Sequence, residues 1–225
     1  MQETQKANSI NRIPVADISP AVFFGGEFVP VKAIPGESFP VSATIFREGH
    51  DALGADVVLF DSHGKEISRV VMQEVWHGGD RYTATITIPG RGDYWYAIES
   101  YDSPLATWLH DAEIKIGADV DAQLMCDIGV ALFEEAIDKD SSAKSLLKNA
   151  ISALKDPKLA PLNRFGIAST PEIRAYCAAN PLRRLASQTE KYPVRADHPR
   201  ALVASWYEFF PRSEGAQIGR ASCRE

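Results

Sequence analysis

The sequence predicts a multidomain α+β chain: an immunoglobulin-like antiparallel β-sandwich carrying an inserted α-helical bundle. Three observations predict it. Apolar and polar residues alternate with period two through Val41–Phe46, Arg81–Ile88 and Tyr94–Ile98, which puts one face of each run on a core. After Ile116 the apolar spacing becomes that of a helix face. At Arg200–Phe210 an aromatic and β-branched run returns, the composition of a strand.

The elements follow in order. Residues 1–11 are polar and are expected to be disordered. Residues 12–116 form the sandwich, its strands separated by turn chemistry at Pro35-Gly36, Ser62-His63-Gly64-Lys65, His77-Gly78-Gly79-Asp80 and Pro89-Gly90-Arg91-Gly92-Asp93. No helical pattern intervenes between these strands, so a parallel sheet is disfavoured. Residues 117–190 form the helical insert. Its first helix carries Leu124, Ile128, Leu132 and Phe133 on one face. Ser141 or Ser142 caps a second helix with the stripe Leu146, Leu147, Ala150, Ile151 and Leu154. Thr170-Pro171 and Asn180-Pro181 pair a capping residue with proline at the first helical position, predicting helices over 171–179 and 181–188. Residues 191–213 then supply the returning strand, Arg200–Phe210, which rejoins the first sheet.

Composition narrows the function. The chain has 225 residues, 45% hydrophobic and 24% charged, an ordinary globular balance. Its net charge of -6 suits no nucleic-acid partner, since phosphate contacts need clustered positive charge. No apolar run approaches the ~20 residues that cross a bilayer, so no membrane partner is expected. The opening MQETQKANSINR has no apolar core of a secretory signal. Three cysteines, Cys126, Cys177 and Cys223, fit a reducing compartment.

The residues offer little chemistry. Gly25-Gly26 and Gly78-Gly79 lack the strand-and-helix flanks of a phosphate loop. There is no H-E-x-x-H and no paired-cysteine zinc motif. His50-Asp51 is the most tempting pair, a general base beside an orienting carboxylate. Neighbours on a strand face opposite ways, so the pair cooperates only within a loop, and a structural loop is the favoured reading. His63, His77, His110 and His198 read as surface residues, and Glu134-Glu135 as a solvated helix face. Trp76, Trp95, Trp108 and Trp206 could stack on sugar rings, but core or interface packing is the favoured role.

Several segments resemble the amino-terminal part of the alpha-1,4-glucan:maltose-1-phosphate maltosyltransferases, bacterial enzymes of the alpha-amylase superfamily. They are Arg12-Ile13-Pro14-Val15 with Ile18-Ser19-Pro20; Pro40 to Asp51, reading PVSATIFREGHD; Ala106-Thr107-Trp108; Pro181-Leu182-Arg183; Pro199-Arg200-Ala201-Leu202; and Ser205 to Ser213, reading SWYEFFPRS. The resemblance implies a sandwich with a helical insert, as read above, followed by a catalytic (β/α)8 barrel. In that reaction an aspartate attacks maltose 1-phosphate, phosphate leaves, a glutamate serves as acid and then base, and the maltosyl group passes to an α-1,4-glucan. The resemblance places those carboxylates beyond the segment matching Ser213, so the barrel is expected to be missing here. No catalytic, cofactor-binding or metal residue is carried onto this chain, and no cofactor is expected. The resemblance further implies a cytoplasmic bacterial protein, homodimer contacts in the intact protein, and binding of α-glucan and maltose 1-phosphate by the barrel. Branching and trehalose-type enzymes share the plan, but the helical insert favours the maltosyltransferases. The alternative reading is a free-standing carbohydrate-binding β-sandwich module.

Residues 217–225 match the translation of a common sequencing adapter in one frame, and they are excluded from fold reasoning. The expectation is a natural protein that continues past Ala216 into the barrel. Without the barrel, Trp206, Phe209 and Phe210 are expected to form an uncovered apolar patch that favours self-association.

Overall fold

The computed structural model describes residues 13–76, 78–203 and 208. The expected disorder of residues 1–11, the tail 217–225 and the patch Trp206, Phe209 and Phe210 lie outside the described residues. Ten strands come first: β1 Val15–Ser19, β2 Val22–Phe24, β3 Glu27–Val29, β4 Val31–Ala33, β5 Ser38–Ile45, β6 Leu53–Asp61, β7 Glu66–Val71, β8 Gln73–Glu74, β9 Arg81–Thr87 and β10 Gly92–Asp102. Five helices follow: α1 Pro104–Gly117, α2 Ala122–Lys139, α3 Lys144–Lys155, α4 Pro161–Ala168 and α5 Pro171–Ala179. Two strands close the order, β11 Arg184–Gln188 and β12 Tyr192–Ala196.

The strands form two sheets and a short ribbon. One sheet has the order β1-β5-β9-β8; the other runs β4-β12-β10-β6-β7, with β11 also pairing β10; β2 and β3 make the ribbon. The alternation read from the sequence decides which side chains meet. Val41, Ala43 and Ile45 of β5 and Ala84 and Ile86 of β9 share one core with Val57, Leu59, Tyr96, Ile98 and Val194 of the second sheet. Burial of these side chains is the main force holding the two layers together. One pairing departs from the expected antiparallel pattern. β12 runs parallel to β4, with Val194 opposite Val31 and Ala196 opposite Ala33. Parallel pairing is open to it because β5 to β10 and all five helices lie between β4 and β12 in the chain, ample length for the crossover such a pair needs.

The helices begin earlier than residue 117. Pro104 opens α1 at its first turn, and Leu105, Trp108, Leu109, Ala112 and Ile116 are buried along one stripe. That spacing is helical, so the strand region ends at Asp102 rather than 116. On α2 the buried stripe is Met125, Cys126, Gly129, Val130, Leu132, Phe133 and Ala136. Leu132 and Phe133 are placed as expected, but Leu124 is 52% exposed and Ile128 37%. The stripe is rotated because small residues, Cys126 and Gly129, let α1 approach. Trp108 lies over Gly129 and donates its Nε1–H to the Met125 carbonyl at 2.7 Å.

Capping differs in two places from the sequence reading. Asp140, not Ser141 or Ser142, caps the turn before α3, its Oδ1 accepting from the Ser142 amide at 3.0 Å. Thr170 caps α5 as expected, accepting from the Ile173 amide at 3.4 Å. Asn180-Pro181 opens no helix. Asn180 instead ends α5, its amide donating to the Tyr176 carbonyl at 2.8 Å. Residues 184–188 are strand β11, which takes the edge of β10 with Ser187 opposite Ser100.

The returning strand is also displaced. A strand returns earlier than expected, as β12; within the expected strand Arg200–Phe210 the described start is a short 3₁₀ turn, Pro199–Val203, and 204–207, 209 and 210 lie outside the described residues. Pro193 disguises β12, because proline argues against an interior strand. Here it is tolerated: Pro193 faces Trp95 of β10, and the β4 pairing covers only Val194–Ala196. The chain therefore leaves from the end of β10, makes five helices, and returns onto β10.

The Trp108–Gly129 contact yields a prediction. A Cβ at Gly129 would overlap the indole and stand 3.1 Å from Leu154 Cδ1. Overpacking of roughly 1–3 kcal/mol should outweigh the ~1 kcal/mol helix-propensity gain. Gly129→Ala should lower the urea midpoint without changing the slope, and a raised midpoint would contradict the packing.

Candidate functional site

Two polar constellations sit where the sheets meet the helices. The first is buried. Asp56 of β6 has no solvent access, and its carboxylate is held by three donors. Arg183 Nε reaches Oδ2 at 2.6 Å, Arg69 Nη1 reaches Oδ2 at 3.0 Å, and the Tyr101 hydroxyl donates to Oδ1 at 2.9 Å. Arg69 also bonds Glu66 at 3.0 Å and Glu99 at 2.6 Å. The carboxylates of Glu66, Glu99 and Asp56 hold its guanidinium above the usual arginine range against the effect of burial. Burial, and then the Asp56 charge, pushes the Tyr101 hydroxyl up. The Arg183 guanidinium lies 5.2 Å from the Tyr101 ring centroid. Gly54 stands opposite Tyr101 on the neighbouring strand, and a Cβ there would overlap its ring. Every group is paired, so this constellation is a structural joint.

The second is a cleft of about 500 Å³ between β6, β8 and β9 on one side and α1 and α5 on the other, lined among others by His50, Gln73, Glu74, Tyr82, His110 and Cys177. His50 reaches it from the β5–β6 loop. Arg47 fixes that loop by bridging Asp51, at 3.2 Å, and Asp102. The Ala52 amide adds a bond to Thr107 Oγ1 at 2.9 Å. Asp51 is thus engaged by arginine while His50 lines the cleft, and the structure does not assemble them as base and orienting carboxylate.

The remaining candidates are placed as follows. His110, on the exposed side of α1, lines the same cleft as His50. His63 sits in the exposed β6–β7 turn. His198 is exposed and accepts from the Arg200 amide at 3.1 Å. His77 lies outside the described residues. Glu134 pairs with Lys155 at 2.7 Å. Glu135 is more than a solvated face: Lys139 and Arg184 both contact it, and Arg184, then Lys139, hold its carboxyl below the usual range. Trp108 is buried, Trp76 is 59% exposed and Trp95 36%; Trp206 lies outside the described residues. Among the described residues no three His, Cys, Asp or Glu side chains gather as a metal site. The sequence reading finds His50, Ala106-Thr107 and His110 separately but not the cleft, because its walls come from stretches far apart in the chain.

Comparison with known proteins fixes the family. Residues 11–198 match the description "Alpha-1,4-glucan:maltose-1-phosphate maltosyltransferase, domain N/S". This chain belongs to that family. Alpha-1,4-glucan:maltose-1-phosphate maltosyltransferase 2 of Streptomyces coelicolor is 44% identical over 209 residues, covering 92% of this chain and 31% of the relative. Maltosyltransferase 1 of the same organism is 42% identical over 214 residues, with 94% and 31% covered. The Arcanobacterium haemolyticum maltosyltransferase is 39% identical over 211 residues, with 92% and 30% covered. The chain thus spans about 31% of the length of these maltosyltransferases. The segments that carry the family resemblance have structural work in this fold. Pro181-Leu182-Arg183 places Leu182 in the helical core and Arg183 on Asp56, while Val41–Asp51 supplies β5 and the Arg47 loop.

The cleft wall of this maltosyltransferase-family chain also predicts a pH dependence. Burial pushes the Cys177 thiol up to about 11 from an ordinary 9.0. The unfolded thiol ionises first as pH rises, so its stabilising contribution is complete below pH 9 and lost as pH passes through about 11. The urea midpoint should fall between about pH 9 and 11, and Cys177→Ala should flatten that fall. An identical slope in the variant would contradict the assignment.

Proposed function

We propose that this chain is the non-catalytic amino-terminal portion of a maltosyltransferase that moves maltosyl units from maltose 1-phosphate to α-1,4-glucan. The match of residues 11–198 to the N/S domain, with about 31% of the relatives' length spanned, carries this reading. Its divisions would be an immunoglobulin-like sandwich over 13–102, a helical insert over 104–182, and returning strands over 184–196. Chemistry would belong to a (β/α)8 barrel outside this chain, and this portion would support barrel packing and homodimerisation in the bacterial cytoplasm. Two observations support that role. The Asp56 joint makes sheets and helices one support, and the β2–β3 ribbon holds Phe23 and Phe24 out as exposed apolar surface. Among the described residues no helix is long and apolar enough to cross a membrane.

The alternative, a sugar-binding module with a tryptophan platform, finds less support. Trp76 follows β8 of one sheet, while Trp95 lies in β10 of the other, so the two exposed indoles belong to different sheets. The test is phosphate release from maltose 1-phosphate with a glucan acceptor. The chain alone should release none above background, and sustained release by the purified chain would refute the proposal.

A further inference from the structure

We propose that the helical unit rocks on the sandwich about a narrow neck, so that the cleft between them opens and closes. The two units have separate cores: Trp108 and Phe133 belong to the helical one, Leu59 and Ile98 to that of the sandwich. The chain enters and leaves the helices at one point, because Asp102 of β10 and Arg184 of β11 are register partners. Three bonds between the units lie at the same neck. The Ser103 amide donates to the Ala52 carbonyl at 3.0 Å, the Ala52 amide to Thr107 Oγ1 at 2.9 Å, and Arg183 to Asp56 at 2.6 Å. Away from the neck the walls part: the cleft of about 500 Å³ lies between Gln73 and Tyr82 of the sheets and His110 and Ala178 of the helices. Gln73, Tyr82 and His110 make no side-chain hydrogen bond or ion pair with the described residues. A second hollow, of about 250 Å³, reaches the neck beside Asp102, Pro104, Thr107 and Arg184.

Two units of one chain move relative to each other unless a large apolar interface holds them, and here hollows occupy the place of such an interface. The bonds place the axis. Arg183 pivots on Asp56, and the Asp102–Arg184 pair brings both crossings onto one line. Hinges of this kind need only a few residues at the ends of elements to absorb the change in backbone angles. Ser103 is such a residue: it precedes α1 and its side chain makes no capping bond. β10 itself stays fixed between β6 and β12, so the helices swing without breaking the sheet. The Asp56 joint thus keeps both units on one support and leaves them one direction of movement. A molecule that touched both walls would bias the width of the cleft; the sandwich offers it His50 and Gln73, and the helices His110 and Arg174. The movement belongs to this chain and does not depend on the reaction proposed for the longer protein.

The experiment measures distances between pairs of nitroxide labels on the full chain by pulsed electron spin resonance. Cys126 and Cys177 are buried, so the labels go to introduced cysteines in a Cys223→Ser chain. Gln73→Cys with Ala178→Cys, both exposed, spans the cleft. Gln73→Cys with Arg91→Cys stays within the sandwich, and Lys148→Cys with Ala178→Cys stays within the helices. The cleft pair should give a broad or two-peaked distribution, and each pair within a unit a single narrow peak. Ala106→Trp places an indole in the cleft from an exposed position on α1. It should collapse the cleft distribution to its longer component with unchanged circular dichroism. Thr107→Val, which frees the Ala52 amide at the neck, should broaden that distribution and leave the other two pairs as they were. The proposal is overturned if the cleft pair is as narrow as the pairs within each unit. It is equally overturned if Ala106→Trp leaves a broad cleft distribution unchanged, or if the pairs within a unit are as broad as the cleft pair.

Discussion

The Asp56 carboxylate is out of reach of water, and Arg183, Arg69 and Tyr101 satisfy it. An unpaired charge in that position would cost several kcal/mol, so the fold must deliver these partners together. Arg69 and Tyr101 come from strands beside Asp56. Arg183 is 127 residues away in the chain and arrives only after all five helices are built. Its neighbours make it the hinge of the return: Leu182 is buried in the helical core, and Arg184 pairs with Glu135 on α2 before leading into β11. The same three residues thus anchor the helices, neutralise the buried acid and start the strand that closes on β10.

This constraint explains why the sheets and helices form one support. β10 pairs with β6 along its length, with β12 near its start and with β11 near its end. The excursion therefore begins and ends on the same strand. A ladder of aromatic rings extends the support to the ribbon: Tyr96 stacks on Tyr192 at 5.2 Å, Tyr192 meets Phe28 at 4.8 Å, and Phe28 meets Phe23 at 5.2 Å. Aromatic contacts in this geometry add to area burial, so the ribbon is held at its base while its apolar edge faces outward.

Legibility from the sequence followed the strength of local periodicity. The clean alternation of β5 and β9 and the Thr170-Pro171 start of α5 could be read directly, because local pattern and tertiary packing agree there. α1 was read as part of the strand region although Ser103-Pro104 and the 105, 108, 109, 112, 116 spacing marked it; the strong strand pattern just before it dominated. β12 was hidden by Pro193, and Asn180-Pro181 misled because asparagine serves helix ends and starts alike. The Asp56 joint and the cleft carry no local signature. Both arise from residues far apart in sequence, and only the return of the chain onto β10 brings them together.

A double-mutant cycle between Asp56 and Arg183, measured by urea unfolding, tests the joint most directly. Asp56→Ala and Arg183→Ala should be coupled by more than about 1 kcal/mol, the signature of contacting residues in one network. Additivity within ~0.3–0.5 kcal/mol, as for independent sites, would show that the helices return to the sheet without this contact.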